Sequence, residues 1–97
     1  MDLPQRIQNF NRALNMNDIL PHHTQQKINA FFAQVQRHAR GPEAPGDTGL
    51  MAKGLISINI EAVREIVLGI DRPDPVKQHL YRMLDEIKDF ACSLLGN

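Results

Sequence analysis

Apolar residues recur at helical spacing from the start of the chain. The first set is spaced by four, three and four residues: Leu3, Ile7, Phe10 and Leu14. This spacing predicts one narrow apolar face on a helix that runs to about residue 15. Asp2 is a suitable N-cap for that helix, and Pro4 fits its first turn, where a missing N–H costs nothing.

A second helix is predicted after the Asn-rich turn NMND at residues 15–18. We expect Asp18 or a neighbouring residue to cap this helix and Pro21 to lie in its first turn. The helix should end near Arg40, because Gly41 and Pro42 follow. Its apolar stripe has four members: Ile28, Phe31, Phe32 and Val35.

Residues 41–49, GPEAPGDTG, predict a loop, since they hold three glycines and two prolines in nine positions. The chain then reads as one domain, 1–97, with two helical halves. A break at 71–75, DRPDP, predicts a last helix with Asp74 as N-cap, Pro75 at the first helical position and Gly96 at the C-terminal cap. This long, amphipathic helix has its apolar face at Val76, Leu80, Met83, Leu84, Ile87, Phe90, Ala91, Leu94 and Leu95.

The stretch 54–70, GLISINIEAVREIVLGI, allows more than one interpretation. Isoleucines at 56, 58 and 60 alternate with polar residues, which alone would suggest a short strand. Helical spacing from Ile60 onward favours a helix over about 60–70, with Asn59 as N-cap and Ile58 packed on Val63 as a hydrophobic staple. Residues 50–58 are then either a short separate helix that ends at Gly54 or a continuation of the same helix.

A continuous helix would be apolar nearly all round. Four apolar residues would point away from the face formed by Ile60 and Val67: Met51, Leu55, Ile58 and Leu68. Such a helix must be covered on all sides. The cover would come from a second copy or another protein, or else the preceding loop and a central position in the fold would hide it.

Composition and charge narrow the function classes. The chain is 42% hydrophobic and 23% charged, which is ordinary for a folded globular domain. Its formal net charge of zero argues against a protein that binds a phosphate backbone chiefly by charge. Residues 1–40 hold five cations and two anions, and residues 41–97 hold six cations and nine anions. Basic and acidic elements are therefore expected to face each other within the fold or across a dimer; an exposed basic surface for an acidic partner is the alternative.

Few residues suggest chemistry. Cys92 is the only cysteine, which is consistent with a reducing, cytoplasmic setting. The N-terminus lacks the pattern of a secretory signal, and three charges within 54–70 argue against a membrane span. His22 and His23 are adjacent and cannot chelate one metal as an i, i+4 pair could. We expect no catalytic constellation, cofactor or metal.

These observations predict an all-α bundle of three to five helices that dimerises or binds another protein, as small regulators, adaptors, chaperones and inhibitors do. The expected contact residues lie at the margins of the main apolar faces: Leu55, Ile58, Leu68, Tyr81 and Leu95. The alternative is a small DNA-binding regulator with a helix-turn-helix-like N-terminal half, which would use Lys27, Arg37 and Arg40. A third hypothesis is a histidine phosphotransfer bundle with His79 as the acceptor.

Overall fold

The computed structural model describes residues 1–41 and 49–96. These residues form four α-helices, namely α1 (Leu3–Leu14), α2 (His22–Ala39), α3 (Leu50–Gly69) and α4 (Asp74–Ser93). Since no strand occurs in the described ranges, the predicted all-α class with three to five helices is confirmed. The predicted loop at 41–49 lies outside the described residues except for its two end glycines.

Consecutive helices are antiparallel. α3 and α4 are joined near their connection by Lys77 Nζ, which donates to Leu68 O at 2.8 Å, and at the far end by Lys53 Nζ, which donates to Gly96 O at 2.7 Å. Hydrogen bonds and ring contacts pair α1 with α2 and with α4 in the same antiparallel sense. α2 and α3 are consequently antiparallel too. Each of α1 and α3 packs against both α2 and α4, which gives a four-helix bundle.

The core is built from one face of every helix. Its buried members on α1 and α2 are Leu3, Ile7, Phe10, Leu14, Ile28, Phe32, Val35 and Ala39, and those on α3 and α4 are Ile56, Ile60, Val63, Val67, Leu80, Leu84, Ile87 and Ala91. The predicted apolar face of α1 is confirmed in full. Phe10 and Phe32 meet edge to face at 5.3 Å and join α1 to α2, whereas Phe31 is half-buried.

The prediction for the stretch 54–70 is wrong in where its helix begins. α3 is one continuous helix, so the continuation alternative is correct for residues 50–58. Asn59 does not cap a helix, because its side-chain Nδ2 donates to Leu55 O at 2.8 Å, one turn back. Ile58 is exposed while Val63 is buried, so the two cannot form the predicted staple. Gly54 does not end the helix, since a glycine in a helix interior costs only about 1 kcal/mol.

Of the predicted helix caps, the one at Asp2 is confirmed and the others differ from the structure. The Asp2 cap is confirmed, since its Oδ1 accepts from Gln5 N at 2.9 Å. Asp18 does not cap α2, which begins at His22 without a side-chain cap, and Pro21 is at the cap position and not in the first turn as predicted. α4 begins at Asp74 itself, one residue earlier than predicted, with Pro73 at the cap position. At the other end the C-cap is Leu94 and not the predicted Gly96, which lies two residues further on, adopts φ 78° and donates its N–H to Ser93 O.

Leu94 was predicted on the apolar face of α4 but is exposed, because it is the C-cap of α4 and lies at the end of the bundle, beyond the last buried residue of the helix, Ala91.

The carboxyl end of α1 is closed by an arginine from the connection between α3 and α4. Arg72 Nε and Nη2 donate to Leu14 O at 3.3 and 3.2 Å, and Nη2 also donates to Asp18 O. Its Nη1 lies 3.5 Å from the Asp18 carboxylate. Asp18 does not cap α2 because it lies three residues before Pro21, the cap position of that helix. Arg72 thereby satisfies a helix-terminal carbonyl that has no partner within α1 and ties together the two interhelix connections at this end of the bundle.

Two glycines in and next to the first turns of α3 give opposite stability predictions. Gly54 lies inside the helix with nothing within 4 Å of an added Cβ, whereas Gly49 precedes the helix with φ +83°. We expect Gly54→Ala to raise the free energy of unfolding by about 0.5–1 kcal/mol, and Gly49→Ala to lower it by about 1 kcal/mol. Urea denaturation of both variants checks this. Destabilisation by Gly54→Ala would contradict a continuous helix with open space at residue 54.

Candidate interaction surface

One side of α3 is left uncovered by the bundle. Its exposed residues, which we call the outer face of α3, are Leu50, Met51, Gly54, Ile58, Glu61, Glu65, Leu68 and Gly69. The four large apolar side chains of this face are between 51% and 75% exposed. A cluster of this kind on one helix of a small protein is typical of a contact surface.

The sequence of α3 explains this exposure. Its inner residues pack toward α2 and α4, and a helix at the corner of a four-helix bundle has no third neighbour. Met51 and Ile58 lie seven residues apart, hence on nearly the same line along the helix, with Gly54 between them. Leu68 is ten residues beyond Ile58, a rise of about 15 Å and a rotation of about 80°. The outer face is therefore most strongly apolar in its N-terminal half.

The five predicted contact residues do not form a single patch. Ile58 and Leu68 are exposed on the outer face of α3, and Leu55 is half-buried on the side of α3 toward α2. Tyr81 and Leu95 are half-buried and pack against the core. Leu95 also lies beside Gly49, and the Arg64 guanidinium lies over the Tyr81 ring at 5.2 Å. The structure thus presents two of the five, Ile58 and Leu68, as exposed apolar groups.

Arg64 organises the boundary between α3 and α4. Its Nε lies 3.4 Å from the Glu61 carboxylate, and its Nη2 lies 2.6 Å from Asp85 Oδ1. Glu65, one residue further along the outer face, forms no ion pair with any described residue. The negative charge of Glu61 is thus partly neutralised by Arg64, whereas that of Glu65 has no cationic partner among the described residues.

The cations proposed for the nucleic-acid alternative lie along α2. Lys27 and Arg37 are exposed on the helix, and Arg40 is exposed at its C-cap. Residues 22–39 contain no acidic residue. The connection between α1 and α2 has seven residues, 15–21, whereas a DNA-binding helix-turn-helix uses a turn of three or four. DNA binding by this half stays a prediction.

An open groove between α1 and α2 is lined by side-chain amides, a feature that the sequence analysis did not identify. Asn15 Nδ2 donates to Gln25 Oε1 at 2.8 Å, and Gln25 Nε2 donates to Asn11 Oδ1 at 3.1 Å and to Asn29 Oδ1 at 2.9 Å. Asn15 Oδ1 also accepts from Leu20 N. Because the amides satisfy one another, their evident role is to join α1, the turn and α2. The i, i+4 spacing of 11 with 15 and of 25 with 29 was the available signal.

Cys92 is half-buried on α4, and burial raises the pKa of its thiol above the ordinary value, while the charges of Lys53 and Lys88 lower it by a smaller amount. Because the nucleophile is the thiolate, we expect slow alkylation by iodoacetamide at neutral pH, and faster alkylation in urea. The thiol of the unfolded chain has the lower pKa and therefore ionises at a lower pH than the thiol of the folded chain. Folding stability is thus expected to fall as the pH rises above the ordinary pKa of cysteine and through the raised pKa of the folded thiol. Equal alkylation rates for the folded and unfolded chains would contradict the shielding.

The remaining described residues that could take part in catalysis or metal binding do not lie together. His22, His23 and His79 are exposed on α2 and α4, and no group of three His, Cys, Asp or Glu within residues 1–41 and 49–96 is arranged to hold a metal ion. In the same ranges no helix has both the length and the apolar character needed to cross a bilayer. No family model, curated protein or solved structure matches this chain.

Proposed function

We propose that this protein is a non-enzymatic binding module that docks a partner protein, or a second copy of itself, on the outer face of α3. The carrying observation is the exposure of Leu50, Met51, Ile58 and Leu68 on a helix whose inner residues already fill the core. A chain of this class would act as a small regulator, adaptor, chaperone or inhibitor, and a cytoplasmic setting suits its single cysteine.

Burial of these side chains would contribute to the driving force for association. Complete burial of an isoleucine, leucine or methionine contributes roughly 1.5–3 kcal/mol relative to exposure. Met51 and Ile58 lie on nearly one line, with Gly54 between them and open space around its Cα. A partner side chain could enter above Gly54 and contact both neighbours, which is the arrangement of a packed interface core.

The proposal is tested by placing a charge on the outer face. Ile58→Asp and Leu68→Asp should leave the free energy of unfolding within about 1 kcal/mol of the wild type, because neither side chain is in the core, and should abolish or strongly weaken partner binding. Urea denaturation and capture with the tagged full-length chain measure the two effects.

Ile19→Asp is the matched control, since Ile19 is 81% exposed but lies on the connection between α1 and α2. The control should bind like the wild type. Unfolding of the isolated chain by Ile58→Asp would assign Ile58 to the core, and unchanged binding by both α3 variants would refute a role for the outer face.

A further inference from the structure

The outward charges of α2 and α3 have opposite signs. The charged residues exposed on α2 are cations, Lys27 and Arg37, and those exposed on α3 are anions, Glu61 and Glu65. Lys27 and Glu65 form no ion pair with any residue that the structure describes. Both therefore remain available for an opposite charge supplied from outside the chain.

The two helices share one long face of the bundle. Gln25 bonds to Asn11 of α1 and to Asn15 at the C-cap of α1. The side of α2 turned away from Gln25, with Lys27 and Gln34, therefore lies toward α3. Arg64 bonds to α4, so the opposite side of α3 lies toward α2. We call this shared surface the α2–α3 face; its members are Lys27, Ala30, Gln34, Met51, Leu55, Ile58, Ala62 and Glu65.

Because α2 and α3 are antiparallel, the position of each of these residues along the bundle axis follows from its place in its helix. Lys27 is in the first half of α2 and Glu65 in the second half of α3, so both lie toward the same end. The exposed Ala30 is near the middle of α2, and Ile58 is near the middle of α3. A small residue on one helix and a projecting apolar residue on the other therefore lie at similar levels.

We infer that the partner of the α2–α3 face is a second copy of this chain. The inference rests on the proposed function and specifies its partner. A two-fold axis that lies in the interface and runs parallel to the helices places α2 of one protomer over α3 of the other. Rotation about this axis leaves the position of each residue along the bundle unchanged. Ile58 of each protomer then packs on the partner's Ala30, and Lys27 of each protomer approaches the partner's Glu65. Each contact occurs twice, as an isologous interface requires.

The available area is adequate for such a dimer. The exposed surface of the chain is 6061 Å². One long side of a four-helix bundle is roughly a fifth of that surface, and stable interfaces bury roughly 800 Å² per partner. The apolar residues at the centre and the charges toward one end match the usual division between interface core and rim.

Sedimentation equilibrium of the full chain, with charge-reversal variants, tests the inference. The wild type should sediment at about twice 11.0 kDa in the micromolar range. Lys27→Glu or Glu65→Lys alone should weaken the dimer roughly tenfold or more, because each creates two like-charge contacts. An equimolar mixture of the two variants should recover the dimer, because the charge pairs in the mixed dimer are again opposite. Arg82→Glu, an exposed charge on α4, should leave the dissociation constant unchanged.

A wild-type monomer throughout the micromolar range would overturn the second copy as the partner, and so would a dimer that neither Lys27→Glu nor Ile58→Asp weakens. In the first case, loss of capture by Ile58→Asp would still support binding of a different protein to the outer face of α3. Failure of both experiments would refute the proposed function as well.

Discussion

Ile60→Ala should lower the free energy of unfolding by about 2–5 kcal/mol, whereas Ile58→Ala should change it by less than about 0.5 kcal/mol. The two residues lie two positions apart on α3. Ile60 is completely buried in the core, while Ile58 is 66% exposed on the outer face. Truncation at 60 leaves a cavity among packed side chains; truncation at 58 removes atoms that face solvent, and alanine has the higher helix propensity.

Urea denaturation followed by far-ultraviolet circular dichroism measures this pair, at a protein concentration low enough to keep the chain monomeric. The comparison is internally controlled, since both variants make the same chemical change on the same helix. Losses of similar size at both positions would contradict the orientation of α3, because they would require both sides of the helix to be buried within one chain.

Arg72→Ala should destabilise the fold by about 2–3 kcal/mol, a large effect for a residue outside the apolar core. The side chain is only 10% exposed, and its guanidinium donates to the carbonyls of Leu14 and Asp18. Its removal leaves a helix-terminal carbonyl without its partner and frees the two connections at this end of the bundle. Arg72→Lys should recover only part of the loss, because one ammonium cannot reproduce the planar arrangement of donors.

Arg82→Ala is the matched control for Arg72→Ala, since Arg82 is exposed on α4. Its effect should stay within about 0.5 kcal/mol. The stability difference between Arg72→Ala and the wild type should also persist at high salt, because the main contacts of Arg72 are hydrogen bonds to carbonyl groups, which carry no net charge. Equal effects of the two alanine substitutions would show that Arg72 does not hold the connections together.

The buried faces of α1 and α2 could be predicted because core burial repeats with the helical period. All four members of the predicted α1 face are buried, and in α2 only Phe31 falls short of full burial. The same argument failed at the start of α3, where an asparagine followed by helical spacing resembles a cap. The side chain of Asn59 instead bonds to Leu55 O one turn back, so the residue is accommodated inside a helix. Local spacing does not distinguish these two uses of an asparagine.

Long-range contacts could not be predicted from the sequence. Arg72 lies between Asp71 and Pro73 in a segment that resembles an ordinary solvated connection. Its partner Leu14 is 58 residues earlier, and no periodic pattern relates the two positions. The five predicted contact residues were subject to the same limit, because spacing within one helix does not show which side chains a neighbouring helix covers. Ile58 lies away from the core side of α3, as predicted, but Tyr81 is half-buried, because it packs against the core and the guanidinium of Arg64, from a neighbouring helix, lies over its ring.

The central claim is that the outer face of α3 contacts another chain, and site-specific photo-crosslinking tests it most directly. A photoreactive benzoylphenylalanine in place of Ile58, activated in native cells, should give a discrete crosslinked species, either a dimer of this chain or a complex with another protein. The same group in place of Met16, which is exposed on the connection between α1 and α2, should give no such species. Absence of a discrete product at position 58, or the same product from both positions, would contradict the claim.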